Sequence, residues 1–188
     1  MNYNITLNDL KLNFNKNTFY HDTSIDLNFE KDTLTVYNPN IILKNPYNVK
    51  FPDNNKGNFI GSLDKNDNVI YISSNRKDDY FEYKTKTLGK FFISTDTIGP
   101  IIKKINKKDR TNNKKIRLLI RDEETGIKKY TARINNEWAL FEYEPKKSLI
   151  QFNPDDYIQL KEENELFIVV EDLLGNITIY NETIYYKP

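Results

Sequence analysis

Short apolar runs with a period of two, each broken by Asn, Asp, Gly or Pro, recur along the whole chain. That alternation predicts antiparallel sheets, because successive side chains of a strand point to opposite faces. In the first half, Leu10, Leu12 and Phe14 alternate with polar residues, as do Ile25, Leu27 and Phe29. Further strands are expected at 34–37, 47–51, 59–63, 69–72, 80–83 and 90–94, with Pro39, Pro46 and Pro52 between runs, where a missing amide donor does least harm. The second half predicts seven strands, at 116–121, 129–134, 138–143, 149–152, 166–171, 177–180 and 183–186. Seven short strands in this span suit an immunoglobulin-like sandwich. Asp155 to Glu165 tolerates a helix but keeps no helical period, and reads as a crossing loop with at most one turn of helix.

The fold class expected is all-β: two tandem immunoglobulin-like antiparallel β-sandwich domains. Ser94-Thr95-Asp96-Thr97-Ile98-Gly99-Pro100 follows an apolar strand with a Gly-Pro break, which places the domains at 1–95 and 96–188. At 188 residues the chain divides into two domains of ordinary size, and aromatics at 13% supply large apolar surfaces for their cores.

Charge narrows the partners. Twenty-eight Lys and Arg nearly cancel 27 Asp and Glu, a formal net of +1, so no excess field draws the chain to nucleic acid or anionic lipid. Nucleic acid is not an expected partner. The basic stretch from Lys103 to Lys115 reads as a solvated hairpin loop in preference to a polyanion patch. No apolar stretch approaches the roughly 18 residues of a membrane span, so none is expected. The polar start Met1-Asn2-Tyr3-Asn4 lacks the regions of a signal peptide; read literally the chain is unexported, although a Met directly before a strand-like run is equally a cloning start.

Catalytic chemistry is hard to assemble. Cysteine is absent and His21 is the single histidine, whereas a hydrolytic zinc site draws on two or three imidazoles. A Ser-His nucleophile would also need His21, which sits in a turn-like link and reads as a surface residue. The six glycines are scattered singly, so no phosphate-binding loop forms. No catalytic residue and no metal ligand is therefore assigned. The tightest carboxylate set, Asp122-Glu123-Glu124 with Asp172, has each Asp ending an apolar strand just before a Gly-containing turn. Such residues either cap their own turns or bind calcium, and capping is the commoner use. Trp138, with Tyr130 and Tyr143 as neighbours, is the candidate binding group: exposed, it would stack on a sugar ring; buried, it would fill the sandwich core, which is the commoner arrangement and the expected one.

Four ordered motifs carry a resemblance. Leu88-Gly89-Lys90-Phe91 leads into Thr95-Asp96-Thr97 and Pro100-Ile101-Ile102. Ile120-Arg121-Asp122 is followed by Thr125-Gly126-Ile127 and Tyr130. Ile134-Asn135-Asn136-Glu137-Trp138 precedes Tyr143 and Lys146. Val170-Glu171-Asp172 closes in Gly175-Asn176. In order and spacing they resemble the C-terminal region of lysostaphin-type zinc metallopeptidases, the peptidoglycan endopeptidases, in the form found in Bacteroidota. The likeness covers residues 88–188 closely and the first half loosely. Thr125 stands where that family has Ser, Asn136 where it has Gly, and Glu144-Pro145 where it has an Asp step.

The resemblance implies a non-catalytic accessory or targeting region of a secreted bacterial enzyme, periplasmic, outer-membrane-associated or extracellular. Its partners would be peptidoglycan or the parent's own catalytic domain. The zinc and its His and Asp ligands would lie in that domain, ahead of residue 1, leaving this chain with no cofactor of its own. The rival expectation is a stand-alone adhesion module for glycan or protein; a third is an enzyme of another type. Exposure of Trp138 discriminates, because stacking needs an open aromatic platform and a core does not.

Overall fold

Alternation of buried and exposed side chains is visible strand by strand. The computed structural model describes residues 2–105, 115–154 and 158–186. Nearly all regular structure in them is antiparallel strand, and the chain divides into two compact units, Met1–Asp96 and Thr97–Pro188. The architecture is all-β.

The first unit holds β1 (Tyr3–Leu7), β2 (Leu10–Phe14), β3 (Asp26–Glu30), β4 (Thr33–Tyr37), β5 (Tyr47–Pro52), β6 (Phe59–Leu63), β7 (Val69–Ser73), β8 (Arg76–Lys77), β9 (Tyr80–Thr85) and β10 (Gly89–Ser94). They pair as two five-stranded sheets, β1-β2-β5-β9-β8 and β3-β4-β10-β6-β7. The inward residues of both sheets, among them Leu10, Leu12, Leu34, Val36, Phe51 and Phe91, form one buried cluster. β1 showed in the sequence only as a strand-like run after Met1, without bounds: its residues are exposed or half-buried, so it carries little alternation. Ile25 lies just before β3, half-buried, so the strand itself carries only Leu27 and Phe29 of the expected set.

Two backbone positions show how tightly this unit closes. A Cβ on Gly57 would stand 2.2 Å from the Ser94 carbonyl oxygen, so only glycine fits there. One residue on, the Asn58 Nδ2 donates to the Asp96 carbonyl and the Asp96 N–H donates to the Asn58 Oδ1 at 3.0 Å, fixing the end of β10.

The second unit holds β11 (Ile101–Lys104), β12 (Ile116–Arg121), β13 (Ile127–Ile134), β14 (Glu137–Trp138), β15 (Glu142–Glu144), β16 (Leu149–Phe152), β17 (Glu163–Asp172) and β18 (Ile177–Tyr185), with a 3-10 turn at Pro145–Lys147. The sheets run β11-β12-β16-β15 and β14-β13-β17-β18. This order is compatible with an immunoglobulin arrangement carrying one extra strand beside the third. Leu118, Ile120, Ala132, Ile134, Ile150, Leu166, Ile168 and Val170 fill its core.

Three sequence expectations need correction here. The run 138–143 is not one strand: Trp138 ends β14 in one sheet, Glu142 opens β15 in the other, and the chain crosses between them with Ala139 and Phe141 buried. The runs 177–180 and 183–186 are not two strands, because β18 continues through Asn181 and Glu182, whose residues pair with Phe167 and Leu166 without a break. Part of the expected crossing loop is strand, since β17 starts at Glu163, where Asn164 is 1% exposed and its amide donates to the Lys161 carbonyl and accepts from the Lys161 N–H. Residues 155–157 of that loop and 106–114 of the basic stretch lie outside the described residues.

The edge of β18 is partly covered. The backbone at Gly99 lies so close to Ile177 and Thr178 that a Cβ there would meet the Thr178 Oγ1 at 2.7 Å. Further along, Lys104 of β11 pairs with Glu182 at 2.6 Å, and the Tyr180 hydroxyl donates to the other Glu182 oxygen at 2.7 Å. Burial and that hydrogen bond raise the Tyr180 phenol to about 12.

Candidate functional site

Trp138 is 65% exposed, which overturns the expectation that it fills the core. Its place follows from the local sequence. Asn135 and Asn136 both take positive φ, 51° and 67°, as a tight two-residue hairpin demands, and β14 therefore folds straight back on β13. Trp138 then pairs with Arg133, and the inner position is taken by Ala139, whose N–H donates to the Ala132 carbonyl at 3.0 Å.

Cross-strand register shows what surrounds the indole. Directly paired residues share a face of the sheet, so Trp138, Arg133, Phe167 and Asn181 form one row across the outer face of the second unit's β14-β13-β17-β18 sheet. The next row is Thr131, Val169 and Ile179, and another holds Lys129, Glu171 and Ile177. Phe167 is 37% exposed, and Ile177 and Ile179 are both more than half exposed. The face thus mixes an aromatic and aliphatic surface with guanidinium, amide and hydroxyl groups. The Arg133 guanidinium is steadied by the Asn136 Oδ1 at 3.1 Å, and Glu171 is held by Lys128 and Lys129 at 2.8 and 2.9 Å. Hydrogen bonds from Lys128 and then Lys129 keep the Glu171 carboxyl below the usual glutamate range.

Tyr130 and Tyr143 lie elsewhere. Tyr130 pairs with the buried Val170 and Tyr143 with the buried Ile150, so both lean to the inner side of their sheets, opposite to Trp138. Their rings meet edge to face at 5.8 Å, and the Tyr130 hydroxyl donates to the Phe141 carbonyl. Burial, with Tyr143 second, raises the Tyr130 phenol. The two tyrosines brace the crossing that presents Trp138, and they do not share its surface. The residues that do share it, Phe167, Ile177 and Ile179, were missed in the sequence. The signal for Phe167 was the unbroken apolar run Leu166–Val170, which has too many apolar residues for one buried face.

Asp122 and Asp172 come together at one corner of the second unit, each with a carboxylate oxygen within 4.8 Å of the other. Asp122 Oδ1 accepts from the N–H groups of Glu124, Thr125 and Gly126 and from the Thr125 hydroxyl. Asp172, fully buried, accepts from the Leu174 and Asn176 N–H groups at 2.8 and 2.9 Å and, on its other oxygen, from the Asn176 amide at 2.8 Å. The Leu173 N–H donates to the Gly126 carbonyl, lacing the two turns together. Both carboxylates therefore cap turns, the role favoured by their position in sequence. Glu123 turns away to pair with Arg121 at 2.7 Å.

His21 is exposed in the link between β2 and β3, its ring 6.2 Å from that of Tyr20. Among the described residues no helix is long and apolar enough to cross a membrane. Compared with protein-family models, curated proteins and solved structures, the chain matches none.

Proposed function

We propose that this chain is a non-catalytic accessory region that holds a secreted or periplasmic cell-wall peptidase on bacterial peptidoglycan. The observation that supports the reading is the open indole of Trp138, set in a row with Arg133, Phe167 and Asn181. An exposed aromatic platform rimmed by hydrogen-bonding groups suits a pyranose ring, which offers a flat C–H face and a hydroxyl edge. In this reading the zinc chemistry belongs to a catalytic domain elsewhere in the parent protein, and the chain itself cleaves nothing. A second reading, a stand-alone adhesion module for glycan or protein, draws on the same open face.

Co-sedimentation with purified sacculi tests the proposal. The chain should pellet with sacculi and release no soluble wall fragments, and Trp138→Ala should weaken binding by up to about tenfold, the scale of a lost aromatic stacking contact. A chain that stays in the supernatant, or a W138A variant that pellets like the parent, would defeat it. Capture of a protein partner through Trp138, without any affinity for sacculi, would point to the adhesion reading.

A further inference from the structure

The first unit contains a cavity of about 700 Å³, within the range of ligand-binding clefts. It opens where the start of β1, the end of β2, the following link and Leu27 of β3 converge. Its floor is apolar: Phe14 is 3% exposed, and Ile5, Phe19, Ile25 and Leu27 pack against the buried core around it. Phe14 stacks between Phe19 and Tyr47, with ring centres 5.5 and 4.8 Å away, so it backs the half-buried Phe19 ring from the core side.

The rim has the opposite character. Tyr3 and Tyr20 stand 52% and 62% exposed, and Asn2, Asn4, Lys16, His21 and Asp22 complete it. Within the first unit's described residues the side chains of Lys16, His21 and Asp22 have no hydrogen-bond or ion-pair partner. Asn2 and Asn4 each engage the protein through the side-chain oxygen, from the Lys16 N–H and the Asn13 amide, which leaves their NH₂ groups to donate elsewhere. One lysine and one aspartate cancel, so the rim has no net pull on either sign of charge and suits a ligand rich in donors and acceptors.

We infer that this cavity is a binding site for an uncharged saccharide, with a sugar face against Phe19 and Tyr20 and hydroxyl or acetamido groups at the Asn, Lys, His and Asp rim. The site rests on the first unit's own geometry and stands apart from the Trp138 face. An apolar peptide side chain would leave the open polar groups of the rim desolvated without partners, which costs free energy.

The test is titration of the ¹⁵N-labelled chain with tri-N-acetylchitotriose, and separately with neutral hexoses, followed by amide chemical shifts. Millimolar saccharide should move the amides of residues 2–5 and 16–25. Tyr20→Ala, which removes a side chain outside the core, should weaken binding several-fold as read at the amides of residues 2–5 and 16–25, while leaving the remaining spectrum in place. No shifts at millimolar saccharide, shifts confined to other residues, or a Y20A variant that binds as tightly as the parent would overturn the inference. None of these outcomes depends on whether the chain binds sacculi through Trp138.

Discussion

Replacing Asp172 separates a turn cap from a cation site. In Asp172→Ala, the Leu174 and Asn176 N–H groups lose a charged acceptor at 2.8 and 2.9 Å. A hydrogen bond to a charged group contributes about 1.5–3 kcal/mol, so these two amount to roughly 4 kcal/mol. Relief of repulsion from Asp122, whose oxygen lies within 4.8 Å, returns about 1 kcal/mol once screening is allowed for. The net loss is about 3 kcal/mol. Asp172→Asn keeps an oxygen for both N–H groups and removes the same repulsion but turns an NH₂ toward the Asn176 amide, which loses its acceptor at 2.8 Å, so the net cost should be about 1 kcal/mol. Urea unfolding followed by Trp138 emission reads the second unit alone, because that unit holds the single tryptophan. With a slope of about 1–1.5 kcal/mol/M for a unit of this size, the alanine variant should shift the midpoint by about 2–3 M and the asparagine variant by under about 1 M. Calcium or chelator should move neither the parent nor the variants. Equal losses in the two variants, or a midpoint of the parent that falls on chelation, would refute the capping account.

Three further outcomes are expected. Glu171, kept acidic by hydrogen bonds from Lys128 and Lys129, adds stability that is present above the ordinary glutamate range and lost as pH falls below it; Glu171→Gln should flatten the acid limb of the second unit's stability curve. Tyr83→Phe should stabilise the first unit by about 1 kcal/mol in thermal unfolding, because the Tyr83 hydroxyl is buried without a partner, whereas Tyr47→Phe should cost about 1 kcal/mol by removing a hydroxyl that donates to the Thr87 carbonyl. Gly57→Ala should destabilise the same unit by at least about 2 kcal/mol, since the added Cβ meets backbone with no room to yield.

Much of the fold was legible because half-buried strands write their period into the sequence. Leu10, Leu12 and Phe14, or Leu166, Ile168 and Val170, name the inner face of their strands directly. The crossing at Trp138–Glu142 was not legible, for a physical reason. Exposed Trp138, buried Ala139, exposed Leu140 and buried Phe141 alternate without a break while the chain leaves one sheet for the other, so periodicity survives although the hydrogen-bonding partner changes. The bounds of edge strand β1 were hidden for the converse reason, since a strand with little to bury leaves little pattern. The turn chemistry of Asp122 and Asp172 could be read from the glycines that follow them, but the proximity of the two turns depends on long-range pairing of Ile127 with Asp172. The same holds for the first unit's cavity, whose walls come from segments with no shared motif.

The close fit of Gly99 against Ile177 and Thr178 bears on how this protein behaves in crowded solution. β18 is nine residues long and carries exposed Ile177, Ile179 and Tyr185, a composition that invites a neighbouring molecule to add a strand and begin a fibril. The chain passing over its first residues, with the Lys104–Glu182 pair further on, acts as a guard rail along that margin. Any side chain at position 99 would push the rail outward, and lateral growth into β-rich aggregates would follow sooner than loss of the sandwich itself.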